Sequence, residues 1–259
     1  MTFADPRPWR EALRKRGVAI VYHEIGNVPL SHLRDHRLFV APALFAAQLA
    51  SLNELGVQSQ LQRDACGGMP GKVILTFDDA SAGVFSAALP ALARAKQRGV
   101  VFVVSDFVGK KSAWDAGTRH AVRRIMSREQ LREWVAQGHA IGSHTLSHRR
   151  LTALSKSEAW KEVAESKTRL EEMFETPVTQ FAYPYGAHDE QHAAMVAKAG
   201  YREAYTTQPG FLSEAASDFT IPRVPAFFPI RRWTNFVHAV LPPRVASHLA
   251  AVTPDKLCG

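Results

Sequence analysis

Short apolar runs rich in β-branched and aromatic residues alternate along this chain with stretches of helical period. Val18–Tyr22 (VAIVY), 72–77 (KVILTF) and 100–105 (VVFVVS) are apolar at consecutive positions rather than at every second one. That pattern predicts strands covered on both faces, as in a parallel sheet. Between them, 42–55 and 85–98 read as helices, stopped by Gly56 and Gly99 as expected C-caps. Ser127 with Gln130, and Ser155 with Glu158, are capping boxes that predict two further helix starts, the second helix running to about Phe174. Shorter strands are expected at 139–143, 178–183 and 201–207, and a helix over 189–198 ending at Gly200. The last extended piece, 221–227, carries Pro222 and Pro225, which suit an edge or a rim. Strands alternating with helices imply parallel βαβ units, and about seven such units suggest a barrel or a doubly wound sheet. Neither G-x-G-x-x-G nor G-x-x-x-x-G-K-[ST] occurs, and 67–71 (GGMPG) precedes a strand and reads as a turn. No repeat or linker interrupts the pattern, so one domain is expected, with 105–126 and 208–218 as long loops bordering a site.

Composition adds exclusions. With 46% hydrophobic and 22% charged residues in 259, the chain is neither disordered, collagen-like nor a coiled coil. Cys66 and Cys258 lie far apart and form no C-x-x-C, which argues against a disulfide framework or a cysteine zinc site. The 32 basic residues exceed the 24 acidic ones, giving +8. Short basic pairs such as Arg123-Arg124, Arg149-Arg150 and Arg231-Arg232 read as solvated faces or rims rather than a nucleic-acid stripe, so no nucleic-acid partner is expected. No apolar core follows the basic start of the chain and no apolar run is long enough to span a bilayer; a cytoplasmic location without a transmembrane segment is the expectation. The oligomeric state is open.

Three clusters carry chemistry. Thr76-Phe77-Asp78-Asp79 puts two adjacent carboxylates at the C-terminal end of an apolar strand, where parallel α/β folds build their active sites. Successive side chains diverge, so one carboxylate can bind a cation while the other stays free, although Asp79 or Ser81 could equally cap the next helix. His144-Thr145-Leu146-Ser147-His148 follows another short strand; two histidines four apart face one ion if a tight turn joins them, and are otherwise exposed loop histidines. Taken together, one carboxylate and two imidazoles make a three-donor set with an open position, and the spare carboxylate is placed as a general base. Tyr183-Pro184-Tyr185-Gly186 is a turn whose backbone N–H groups could serve an oxyanion, or a simple Pro-Gly turn.

TFDD at 76–79, HTLSH at 144–148 and YPYG at 183–186, in that order, resemble the first three motifs of the polysaccharide deacetylases, carbohydrate esterase family 4; VAIVYHEIG at 18–26 resembles the opening strand of bacterial members. The resemblance spans about 18–227, leaving 228–259 as a C-terminal extension. It implies an α/β fold, a distorted (β/α) barrel of about seven parallel strands in a single domain. It implies a metal-dependent hydrolase that removes N-acetyl groups from an amino sugar in a polysaccharide or glycan precursor. Asp78 then matches the base, Asp79, His144 and His148 the ligands of a divalent metal, zinc first among them, and the Tyr185 N–H the oxyanion donor. Thr76, Tyr183, Pro184 and His23 are expected on the substrate's side of the site. Two departures stand out. Ala182 occupies the place of an arginine that orients the base, for which Arg223 is the candidate substitute. The late histidine that acts as general acid has no clear counterpart, His238 being the late candidate. Alternatives are a hydrolase of another small amide, formamide or ester, and a weakly catalytic glycan- or anion-binding module on the same fold.

Overall fold

A computed structural model describes residues 16–226, apart from 55, 64–71 and 119. One parallel sheet carries a two-residue piece, Ser59–Gln60, off a continuous path of seven strands: β1 (Val18–Tyr22), β2 (Val73–Phe77), β3 (Gly99–Val103), β4 (Ala140–Ser143), β5 (Gln180–Ala182), β6 (Glu203–Tyr205) and β7 (Val224–Pro225). Their order is β7-β1-β2-β3-β4-β5-β6, and every pairing is parallel. The last segment closes the ring. Ile221 bridges Tyr205 of β6, while Val224 pairs with Ile20 of β1, so one extended stretch joins both edges of the sheet. Two prolines fit this position because the ladder is short there.

β1, β2 and β3 are buried along their whole length, but the two faces differ. Val18, Ile20, Tyr22, Leu75, Phe77, Val101 and Val103 point outward into the larger core. The helices close over that face: α1 (Pro42–Glu54), α2 (Leu89–Ala95), α3 (Arg128–Ala136), α4 (Lys156–Phe174) and α5 (Glu190–Lys198). Ala19, Ile74, Val100, Phe102, Ala182, Tyr205 and Ile221 fill the barrel interior. Gly142 is required there, because a Cβ would lie 2.4 Å from the Phe102 ring. Both expected capping boxes form, at Ser127 and Ser155.

Some boundaries differ from expectation. The second helix begins with a π turn at Val84–Ala88 and stops at Lys96, whose φ of 54° makes the left-handed cap expected of Gly99. Gly99 instead opens β3, with Phe77 where its Cβ would stand. The strands at 178–183 and 201–207 shrink to three residues each, because their C-terminal ends turn into the site. The 105–126 segment is ordered by antiparallel bridges from Ser81 to Ile125 and from Lys111 to Arg124. The glycine-rich turn at 67–71, both cysteines and the expected extension 228–259 lie outside the described residues.

Candidate active site

The site gathers at the C-terminal end of the barrel, and the backbone there is unusual. Among the described residues seven non-glycine positions have positive φ; Lys96 and Glu175 are helix caps, and the other five are Asp79, Ala80, Thr145, His148 and Tyr185. Each such residue costs roughly 1–3 kcal/mol, tolerated only where surrounding contacts enforce it. The acidic loop, the histidine loop and the Tyr185 turn are therefore held in shapes the chain would not adopt alone.

Asp78 and Asp79 diverge, as their adjacency requires. Asp78, 1% exposed, points into the barrel mouth and meets Arg223, which is fully buried. The guanidinium donates from Nη1 to Oδ1 at 2.7 Å and from Nη2 to Oδ2 at 2.8 Å. Nη1 also donates to Thr76 Oγ1 at 3.1 Å, and Nε to the Thr206 carbonyl at 2.9 Å, so the fork has one orientation. The rings of Phe102 and Tyr205 lie against it. Burial alone would raise the Asp78 carboxyl, but Arg223, through charge and hydrogen bond and aided by the neighbouring His144 and His23, holds the group ionised below its ordinary value. Arg223 thus reaches Asp78 from the closing segment, while Ala182 offers only its carbonyl. That carbonyl accepts from His144 Nδ1 at 2.7 Å. A carbonyl can only accept, so the proton sits on Nδ1 and Nε2 keeps its lone pair.

Asp79 turns the other way. Its Oδ1 lies 3.2 Å from His148 Nε2 and 3.6 Å from His144 Nε2. All three ligand atoms fall within 4.8 Å of one another. Asp79 Oδ1 is buried and accepts no hydrogen bond of normal geometry, an orphan that a cation would satisfy. Burial lowers the His144 imidazole to about 4, so it is neutral and fit to ligate. One hard oxygen and two imidazole nitrogens suit a divalent transition ion, so the donor set fits the metal the motifs imply. The turn between the histidines is built by Thr145, whose Oγ1 accepts the His148 N–H at 3.0 Å.

Two residues that matter here escaped sequence reasoning. Arg123, expected on a solvated face, is only 6% exposed. Its Nη2 donates to Asp79 Oδ2 and to Asp115 Oδ2, both at 2.9 Å. Asp79 is thereby pinned through one oxygen and presents the other to the histidines. Trp114 stacks on His148 with centroids 4.5 Å apart. Both belong to the segment expected as a rim loop, which Ser112 ties back to Arg123 through two 2.9 Å hydrogen bonds. The loop's length near the motifs was the signal; which arginine turns inward was not readable.

Other expected residues take different places. Thr76 is buried, donates to the Ile20 carbonyl at 2.8 Å and accepts from Arg223, so its hydroxyl helps orient the guanidinium beside Asp78. Tyr183 faces the outer core and donates to the Phe219 carbonyl; Pro184 is buried beneath the turn. Tyr185 is 49% exposed with φ of 59°, at the mouth. His23 stands there too, Nε2 4.0 Å from Asp78 Oδ2. His238 lies outside the described residues.

A parallel barrel with a three-donor cation site and one free, ionised carboxylate beside it has the makings of a hydrolytic centre. Comparison with known proteins gives its family. Residues 68–204 match the polysaccharide deacetylase family model, and the chain belongs to that family of carbohydrate deacetylases, hydrolases of carbon–nitrogen bonds. A Bacillus subtilis protein named as a polysaccharide deacetylase, YxkH, is 26% identical over 212 residues, covering 79% of this chain and 69% of its own. A poly-β-1,6-N-acetyl-D-glucosamine N-deacetylase of Staphylococcus aureus is 26% identical over 178 residues, 63% of this chain and 59% of its own length. In structure, the Streptococcus pyogenes deacetylase PplD superposes with a TM-score of 0.72 at 21% identity, covering 88% of this chain and 99% of that one.

Proposed function

We propose that the protein removes acetyl groups from N-acetylglucosamine units of a glycan, with zinc as its ion. The observation that carries this reading is the ionised Asp78, locked by Arg223 and left free beside the Asp79–His144–His148 donor set. A divalent ion held by those three residues supplies Lewis-acid polarisation and makes a nearby water easier to deprotonate. Asp78 takes the proton from that water as it attacks the acetamide carbon; its low proton affinity keeps it ready at neutral pH. The Tyr185 N–H donates to the carbonyl oxygen as negative charge grows on it, and the left-handed backbone of the turn sets that donor in advance. His23 is the second proton carrier at the mouth. Burial lowers its imidazole below the ordinary value, so the ring starts neutral; with Nε2 4.0 Å from Asp78 Oδ2 it is placed to take the proton that Asp78 removed from water and pass it to the departing amine. Support for N-acetylglucosamine comes from the staphylococcal relative's substrate, and for zinc from the donor chemistry.

The test is acetate release from an N-acetylglucosamine oligomer by protein reconstituted with Zn2+, Co2+, Ni2+ or Mn2+. Asp78→Asn should keep its bound metal and lose about 10²-fold or more in kcat. Wild-type turnover by that variant, with metal verified, would remove Asp78 from the reaction.

A further inference from the structure

The cleft that leads to the metal donors is lined by Trp114, His148, Arg149, Arg150, Leu154 and Tyr185 among others, and no acidic side chain lines it among the described residues. Its two arginines are not equivalent. Arg149 is matched by Glu158, 3.3 Å away. Glu158 is also tied to Ser155 at the start of α4, and the neighbouring Glu162 is spent on the Ser147 N–H and hydroxyl. Arg150 pairs with no carboxylate among the described residues. It is exposed, and its guanidinium lies 4.7 Å from the centre of the Tyr185 ring. The same ring also touches the site: Tyr185 and His148 are 4.8 Å apart, centre to centre. An unmatched cation is thus held by an aromatic ring within one sugar's reach of the metal donors, in a cleft whose wall also includes the Trp114 indole.

We propose that this cleft is an anion subsite, and that the preferred substrate is an N-acetylated glycan carrying a carboxylate or phosphate on the sugar that adjoins the one being deacetylated. The inference rests on the deacetylase reading above. Tyr185, half exposed, and the part of Trp114 not covered by His148 offer apolar ring surface to a sugar. Arg150 offers a planar fork of N–H donors to paired oxygens, the geometry guanidinium groups match best. Stacking on Tyr185 restrains the side chain before substrate arrives, which reduces the entropy lost on binding. The same charge disfavours a neighbouring sugar that has already become an ammonium, so runs of deacetylated units are poor occupants.

The experiment compares kcat/KM for acetate release at low salt on four oligomers of one length. These are neutral N-acetylglucosamine, N-acetylglucosamine alternating with its lactyl-ether carboxylate derivative, a phosphate-bearing N-acetylglucosamine oligomer, and a half-deacetylated oligomer. The wild type should favour a charged anionic oligomer over the neutral one by about three- to tenfold, the range of a charge-assisted hydrogen bond partly exposed to water. The carboxylate and phosphate arms show which anion it is, and the half-deacetylated oligomer should rank last. Arg150→Gln should bring the acidic-to-neutral ratio towards one; Arg132→Gln, which removes the same charge from an exposed position on α3, should leave the ratio as in wild type. No anionic preference, or a preference that survives Arg150→Gln, overturns the subsite. If the wild type hydrolyses none of the four, the deacetylase reading has failed. Calorimetric binding of the same oligomers then judges the subsite alone: tighter acidic binding that needs Arg150 supports it, and equal binding overturns it.

Discussion

Replacing Arg223 by Met tests the logic of the site most directly. Arg223 and the Asp78 carboxyl are 0% and 2% exposed, so the variant leaves a buried carboxylate with no counter-ion. Removing one partner of a buried pair costs about 3–5 kcal/mol. The group can escape by taking a proton, which at pH 7 costs about 4 kcal/mol for a carboxyl of ordinary affinity. Both routes therefore place the loss near 4 kcal/mol, a large part of the ~5–15 kcal/mol stability of a typical domain. The pH dependence is the sharper signature. In the wild type Asp78 is held below its unfolded value, so its contribution is present above about pH 3.8 and lost as pH falls through the folded value. In the variant, burial without Arg223 pushes the folded value up, so the folded protein gains protons first as pH drops. The stability gap between the two should therefore narrow by up to about 1.4 kcal/mol per pH unit from neutrality toward pH 4. Urea unfolding of metal-free protein at several pH values reads the gap. On the reconstituted enzyme, the acidic limb of kcat/KM should move upward by about 1–3 units. Arg223→Lys keeps the charge without the fork and should fall between. A gap that stays constant from pH 8 to pH 4, with the acidic limb unmoved, would show that Arg223 is packing and does not set the base.

Three further outcomes follow from other contacts. Arg123→Gln frees Asp79 Oδ2 and strands Asp115, so the melting-temperature gain on adding Zn2+ should shrink; an unchanged gain in thermal scans argues that Asp79 is fixed by its backbone alone. His144 and His139 are both pushed to about 4 by burial and stay neutral when folded, so metal-free protein should lose stability as pH falls from 6.5 toward 4, by as much as ~3 kcal/mol for each. A flat denaturation midpoint over that window would contradict their burial. Glu175→Gly relieves a left-handed cap with φ of 52° at the end of α4 and should raise stability by up to about 1 kcal/mol, read as a higher denaturation midpoint, without touching activity.

Much of the barrel was legible because its signals are local. Consecutive apolar runs mark strands covered on both faces, and each capping box places a helix start to within a residue, at Ser127 and Ser155. TFDD and HTLSH carry the donor set because strand ends and residue types are properties of short windows. Local signals misjudged neighbours whose partners lie far along the chain. Thr76 and Tyr183 look like site residues by adjacency, yet alternation turns one into the barrel and the other into the outer core.

Arginine shows where the sequence stops speaking. Three basic residues, at positions 123, 150 and 223, look alike in composition, and each has a separate fate. Arg223 meets Asp78 at a sequence separation of 145 because the closing segment bridges β6 and β1 and carries its side chain inside. Arg123 is buried because two carboxylates converge on it, and Arg150 stays at the mouth because Glu158 is taken by its neighbour. The chain's own pattern determined which strands form and which groups can bind an ion. Ring closure decided which charges meet, because a charge is buried only where distant residues arrive to compensate it.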